Sequence, residues 1–118
     1  MRWDVRQDRT QDSALRLVIT FRDVVRDVDD VDLAELIGEP PSSTGSPRWD
    51  AFLAAVVEDE SARRNIAPPR WVNDRSRFLK PFWHLSTNPL LHEWEFESSP
   101  AAFLRHGIVV AAEELASV

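Results

Sequence analysis

Cysteine is absent from the 118 residues, so the chain can build neither a disulfide framework nor a thiolate metal site. That absence fits a reducing compartment. Glycine occurs only at 38, 45 and 107, too sparsely for a phosphate-cradling loop or a nucleophile elbow. An apolar run such as 107–112 falls far short of the ~20 residues that span a bilayer. The opening stretch 1–9 is charged and carries no apolar leader core. The expectation is a soluble, cytoplasmic protein with no membrane partner.

Basic charge is scarce as well. Lysine occurs once, at Lys80, beside thirteen arginines, and the net charge is −6. The stretches 1–37, 38–66 and 67–118 carry −3, −2 and −1, so none is net basic. A sequence-independent nucleic-acid binder needs a basic face to displace counterions, so direct nucleic-acid binding is not expected.

What is present suffices for one core. An apolar share of 43% over this length predicts a single helical domain over 1–118. Residues 1–9 read as an exposed arm, in which Trp3 either folds back or meets a partner. Over 13–28, Ala14, Val18, Phe21, Val25 and Val28 follow helical spacing, with Leu17 and Val24 widening the stripe and Arg16, Arg22 and Arg26 opposite. Thr10 or Asp12 can cap this helix, and a strand over 15–21 competes with it. A short helix over 30–37 starts behind Asp29 and stops where Gly38 can turn left-handed before Pro40 and Pro41. Residues 38–46 read as a flexible loop. Ser46-Pro47 then opens the strongest helix, through Trp49, Phe52, Leu53, Val56 and Val57 to about Arg64.

Pro68 and Pro69 end that helix, and 67–88 reads as a long irregular but ordered connection. Asn88-Pro89 and Ser99-Pro100 repeat the cap-plus-proline signal. They predict one helix through Leu90, Leu91 and Trp94, and another through Phe103 and Leu104 that stops at Gly107. Ile108, Val109 and Val110 read as extended, and 112–117 as a last turn.

Candidate chemistry is thin. His92 and Glu95 stand three apart on a helix and could share a metal with His84 and Glu93 or Glu97, but the spacing matches no established pattern. They read as solvated surface, with no metal and no cofactor. Glu58-Asp59-Glu60 reads as a solvated face, because consecutive helical residues point about 100° apart and cannot converge. The acids at 27, 29, 30 and 32 lack the glycine and terminal glutamate of a calcium loop. No catalytic residue is identified.

The most distinctive segment interleaves basic and aromatic residues: Arg70, Trp71, Arg75, Arg77, Phe78, Lys80, Phe82, Trp83 and His84. Such a mixture suits a protein-interface hot spot or a base-stacking surface, or else interior aromatics among solvated arginines. Arg70, Trp71, Arg75, Arg77, Lys80, Trp83 and His84 are taken as partner-binding. Arg70, Arg77 and Lys80 are expected to point outward, with Trp71 or Trp83 partly exposed.

From about residue 39 several pieces stand in a specific order. They are 39–42 (EPPS), 48–53 (RWDAFL), 68–71 (PPRW), 77–79 (RFL), 81–83 (PFW) and 99–108 (SPAAFLRHGI). This order resembles a group of small, mostly uncharacterised actinobacterial proteins, and the likeness covers about two-thirds of the chain. Similar segments occur behind helix-turn-helix repressor domains or in antitoxin partners of toxins. The first 38 residues are too short, and too poor in turn glycine, for a full helix-turn-helix domain.

These readings converge on a mainly α fold, a compact bundle of four to six short helices with the long ordered connection at 67–88. The function expected is a non-enzymatic protein-binding module, the antitoxin-like partner of a toxin or of another acidic protein surface. The alternatives are an accessory domain of a nucleic-acid-linked transcriptional regulator and, third, a small enzyme.

Overall fold

A computed structural model describes the backbone of residues 5–86 and 88–116 and the side chains of 16–86 and 88–115. Its centre is the helix the Ser46-Pro47 signal predicts, α3, Pro47–Arg63. Every residue from Ala51 to Val57 is buried, so this helix is covered all round rather than along one stripe. One cluster on it joins Trp49, Phe52, Leu53 and Val56 to Val18, Ile19, Trp83, Phe103 and Ile108, with Phe21 packed alongside. A second joins Ala54 and Val57 to Val25, Leu33, Ile37 and Val72.

Around α3 lie α1 (Val5–Asp27), α2 (Asp30–Ile37), α4 (His92–Ser98), α5 (Ala101–Arg105) and α6 (Ala112–Ala116). The fold is mainly α. Helix α1 starts well before 13, so 5–9 is helical rather than an arm, and Thr10 and Asp12 lie inside the helix instead of capping it. Arginine and glutamine favour helix, and no glycine or proline interrupts the run. The strand alternative for 15–21 is excluded by the same helix. Trp3 lies outside the described residues. Leu17 and Val24 face solvent, while Arg22, expected on the outer side, is buried, as is Ile19.

Asp29 caps α2 by accepting the Asp32 N–H at 2.8 Å. Gly38 is not left-handed, with φ at −60°. The helix end is satisfied instead by the indole N–H of Trp71, which donates to the Ile37 carbonyl at 2.7 Å. Arg64 ties three helices together: its guanidinium meets Glu60 and Asp30 and donates to the carbonyls of Val25 and Arg26.

The loop before α3 is held rather than free. Ser46 makes no side-chain cap. One turn on, Asp50 accepts the Thr44 N–H and the hydroxyls of Thr44 and Ser43, each at 2.8 Å. Burial pushes the Asp50 carboxyl up, but these hydrogen bonds and the nearby Arg77 charge outweigh it and leave the group below its ordinary value.

The connection after α3 is ordered by 3-10 turns at Arg70–Asn73 and Arg75–Arg77 and by a strand, β1 (Trp83–His84). This strand pairs in parallel with β2 (Ile108–Val109), Trp83 opposite Ile108 and His84 opposite Val109. Gly107 makes that approach possible. Its φ is +83°, and a Cβ there would stand 2.5 Å from the Leu79 carbonyl oxygen. Asn88 accepts the Leu90 N–H at 3.1 Å and opens a 3-10 turn, Pro89–Leu91, that leads into α4. Ser99 does not cap α5; its hydroxyl donates to the Glu95 carbonyl and accepts the Val110 N–H, fastening the end of α4 to the chain beyond β2.

Candidate functional site

The basic-aromatic segment divides into an inner and an outer part. Arg70 and Lys80 are exposed, as expected, as is Arg75, and Trp71 is half-buried. Arg77, expected outward, is 7% exposed. Its guanidinium donates to the Asp50 carbonyl at 3.0 Å and the Pro41 carbonyl at 3.3 Å, and it lies over the Trp71 ring. One acceptor is a loop carbonyl, Pro41, and the other lies in the first turns of α3, so Arg77 ties the loop to the helix. Trp83 is also interior, edge-on to Trp49 with ring centroids 5.1 Å apart, while Arg48 covers its face. Arg77 and Trp83 therefore organise the core, and the outward surface falls to their neighbours.

That surface includes a groove of about 240 Å³ lined by Leu79, Lys80, Pro81, Phe82, Leu104 and Arg105. Phe82 is 50% exposed and meets Phe96 of α4 edge-on, with centroids 5.6 Å apart. Leu90, Leu91 and Trp94, the apolar positions from which this helix was read, also remain exposed. A stretch that looked like core thus presents its large side chains to solvent.

The inner face of α4 is taken by polar groups. Glu95 is fully buried, which overturns its reading as a solvated surface residue. Ile108, Val109 and Val110 are all buried, so the α4 turn that packs against β2 must go inside whatever it carries. His84 from β1 and His92 from the start of α4 stack with ring centroids 3.9 Å apart, tilted by 22°. One ligand atom from each of His84, His92 and Glu95 lies within 4.8 Å of the others. Neither Glu95 oxygen, nor Nδ1 of His84, has a well-formed hydrogen bond. Burial pushes the Glu95 carboxyl up to about 7, helped by the adjacent Glu114 carboxyl and opposed by Ser86. Burial, followed by the charge of His92, holds the His84 ring below its ordinary value. His92 and Glu95 were visible as a pair in the sequence. His84 joins them only because β1 pairs with β2.

The acids of α3 are not a solvated face either. Glu60 is buried against Arg64 and Arg26, and Asp59 pairs with Arg63. Glu58 meets both Arg105 at 2.8 Å and Nε2 of His106 at 2.9 Å. The other ring nitrogen of the fully buried His106 faces the Arg77 carbonyl at 2.7 Å, and Phe78 stacks on the ring. With both nitrogens engaged by protein oxygens in a fully buried ring, His106 clamps the connection onto α3.

No family model, curated protein or solved structure matches the chain. No helix among the described residues is long and apolar enough to cross a membrane.

Proposed function

We propose that this chain is a protein-binding module that docks through the groove beside Phe82, with an antitoxin-like role against an acidic partner as its finer form. The observation that carries this reading is the exposure of large apolar residues between 82 and 96. Phe82, Leu90, Leu91, Trp94 and Phe96 are 50%, 90%, 38%, 44% and 44% exposed. Large apolar side chains left on a surface mark interaction sites in soluble domains, and here Phe82 and Phe96 stand edge-on to each other. The groove adds a shape, with an apolar floor of Leu79, Pro81 and Leu104 and the cation of Lys80 at its edge. A partner segment with an apolar anchor flanked by carboxylates fits that chemistry, through contact and through steering.

The test begins with a photo-crosslinking residue at 82 and, as control, at 31 on the exposed side of α2. A protein captured from 82 and not from 31 is then purified and its affinity measured by calorimetry. Phe82→Ala combined with Lys80→Glu should weaken binding at least about tenfold, as loss of an aromatic anchor does. For the antitoxin-like form, co-expression should relieve growth arrest by the captured partner, and the double variant should not. Equal capture from both positions, or an affinity unmoved by the double variant, removes this surface as the docking site.

A further inference from the structure

We propose that His84, His92 and Glu95 form a binding site for one divalent transition-metal ion of the zinc or ferrous class, held by two imidazoles and a carboxylate. The docking surface uses the outer flanks of α4; this site lies on the inner face, and the two readings are independent.

Three observations converge on the site. The first is proximity, since donors that share an ion at ligand lengths of about 2.0–2.2 Å lie about 3–4 Å from one another. The donor atoms lie within 4.8 Å of one another, and His84 and His92 must turn out of their face-to-face stack for both to reach one ion. The second is unmet bonding capacity. Both oxygens of the fully buried Glu95, and Nδ1 of His84, lack a well-formed hydrogen bond, although the Glu114 and Ser86 side chains stand next to the carboxylate. A divalent cation satisfies all of them at once. The third is orientation of the remaining ligand. His92 Nε2 lies 3.2 Å from the Ser86 carbonyl, an acceptor, so it carries the hydrogen and leaves the Nδ1 lone pair free. A ring nitrogen tied to a backbone carbonyl in this way is the usual outer support of a metal-bound histidine.

The donor set decides the class of ion. Imidazole nitrogen suits zinc, iron, cobalt and nickel rather than magnesium or calcium, which take oxygen. The absence of cysteine excludes a thiolate-rich site. Glu114, whose Oε1 accepts the Ala111 N–H, is a further carboxylate beside Glu95.

Tag-free protein, stripped with a chelator, is titrated with Zn²⁺ in a calorimeter and with Co²⁺ in the visible range. The expected result is about one equivalent of either ion, a visible Co²⁺ ligand-field band and a higher melting temperature. Zinc should also move the ring ¹⁵N resonances of His84 and His92 while leaving those of His106 in place. Glu95→Gln keeps the shape of the side chain and removes a buried charge, so it should melt no lower than the metal-free wild type. It should lose at least about tenfold in Zn²⁺ affinity, and His92→Ala likewise. Glu113→Gln, at an exposed acid on α6, should bind as wild type does. Wild-type protein that takes up no stoichiometric Zn²⁺ or Co²⁺ overturns the site. So does uptake that survives both Glu95→Gln and His92→Ala, or a zinc titration that leaves the His84 and His92 rings unmoved.

Discussion

Trp71 donates its indole N–H to the carbonyl of Ile37, 34 positions away, at 2.7 Å, and in doing so closes the end of α2. A helix terminus leaves carbonyls that need partners, and here a side chain from the long connection provides one. Trp71→Phe retains most of the ring packing and removes only the donor. It should destabilise the fold by about 1–2 kcal/mol, read as a lower urea midpoint with unchanged slope. An unchanged midpoint would mean that water serves the carbonyl equally well.

Phe52 is fully buried between Trp49, Trp83 and Phe103. Phe52→Ala should cost about 3–5 kcal/mol in thermal or urea unfolding. A variant that melts with the wild type would remove α3 from the centre of the core.

Gly107 combines a left-handed φ with a close approach to Leu79. Gly107→Ala should therefore lose more than the ~1 kcal/mol that a simple glycine-to-alanine conformational change carries, because the Leu79 backbone must move. Gly45 shares the positive φ but has open space around it. Gly45→Ala should be the milder change, and the reverse order in melting temperature would contradict this account.

Asp50 titrates below its ordinary value in the folded state because it accepts three hydrogen bonds from 43–44 and faces Arg77. Its contribution is therefore present above the unfolded carboxyl pKa and is lost as pH falls through the depressed folded value. Asp50→Asn should narrow the stability gap between pH 6 and strongly acidic solution, measured by melts across the range. An identical acid profile for the two proteins would count against the role of Asp50.

Duplex DNA should bind no more tightly than it does to an acidic control protein at physiological salt, because no third of the chain is net basic. Nanomolar binding that weakens steeply with added salt would favour the regulator reading instead.

How much of this was legible in the sequence depended on how local the cause was. The α3 helix, the caps at Asp29 and Asn88 and the extended piece at 108–110 follow from neighbouring residues, and the structure has them. Ser46 and Ser99 carry the right residue type, but Ser46 makes no side-chain cap and the Ser99 hydroxyl is taken up in the Glu95–Val110 bridge. Arg77 went inward to donate to carbonyls 27 and 36 residues away. Charge reversal at Arg77 would thus confound binding with stability, and Arg70, Arg75 and Lys80 are the positions free for that experiment. The candidate metal site was half visible as His92 and Glu95. Its third member comes from a parallel pairing that no local pattern announces.

That pairing also governs how the molecule can open. The chain pairs with itself at 83–84 and 108–109 through a two-residue ladder, helped by the Leu79 N–H on the His106 carbonyl and by Ser99 on Val110. Everything between them is a closed loop whose ordering entropy is met late, after the α1–α3 contacts exist. Within the loop, α5 is anchored by Phe103, whereas α4 rests on one buried carboxylate and leaves its large side chains in water. Amide hydrogens of α4 should therefore exchange by local opening, at a free energy well below that of α3. Whatever settles on either face of α4, a partner outside or an ion within, works against that opening.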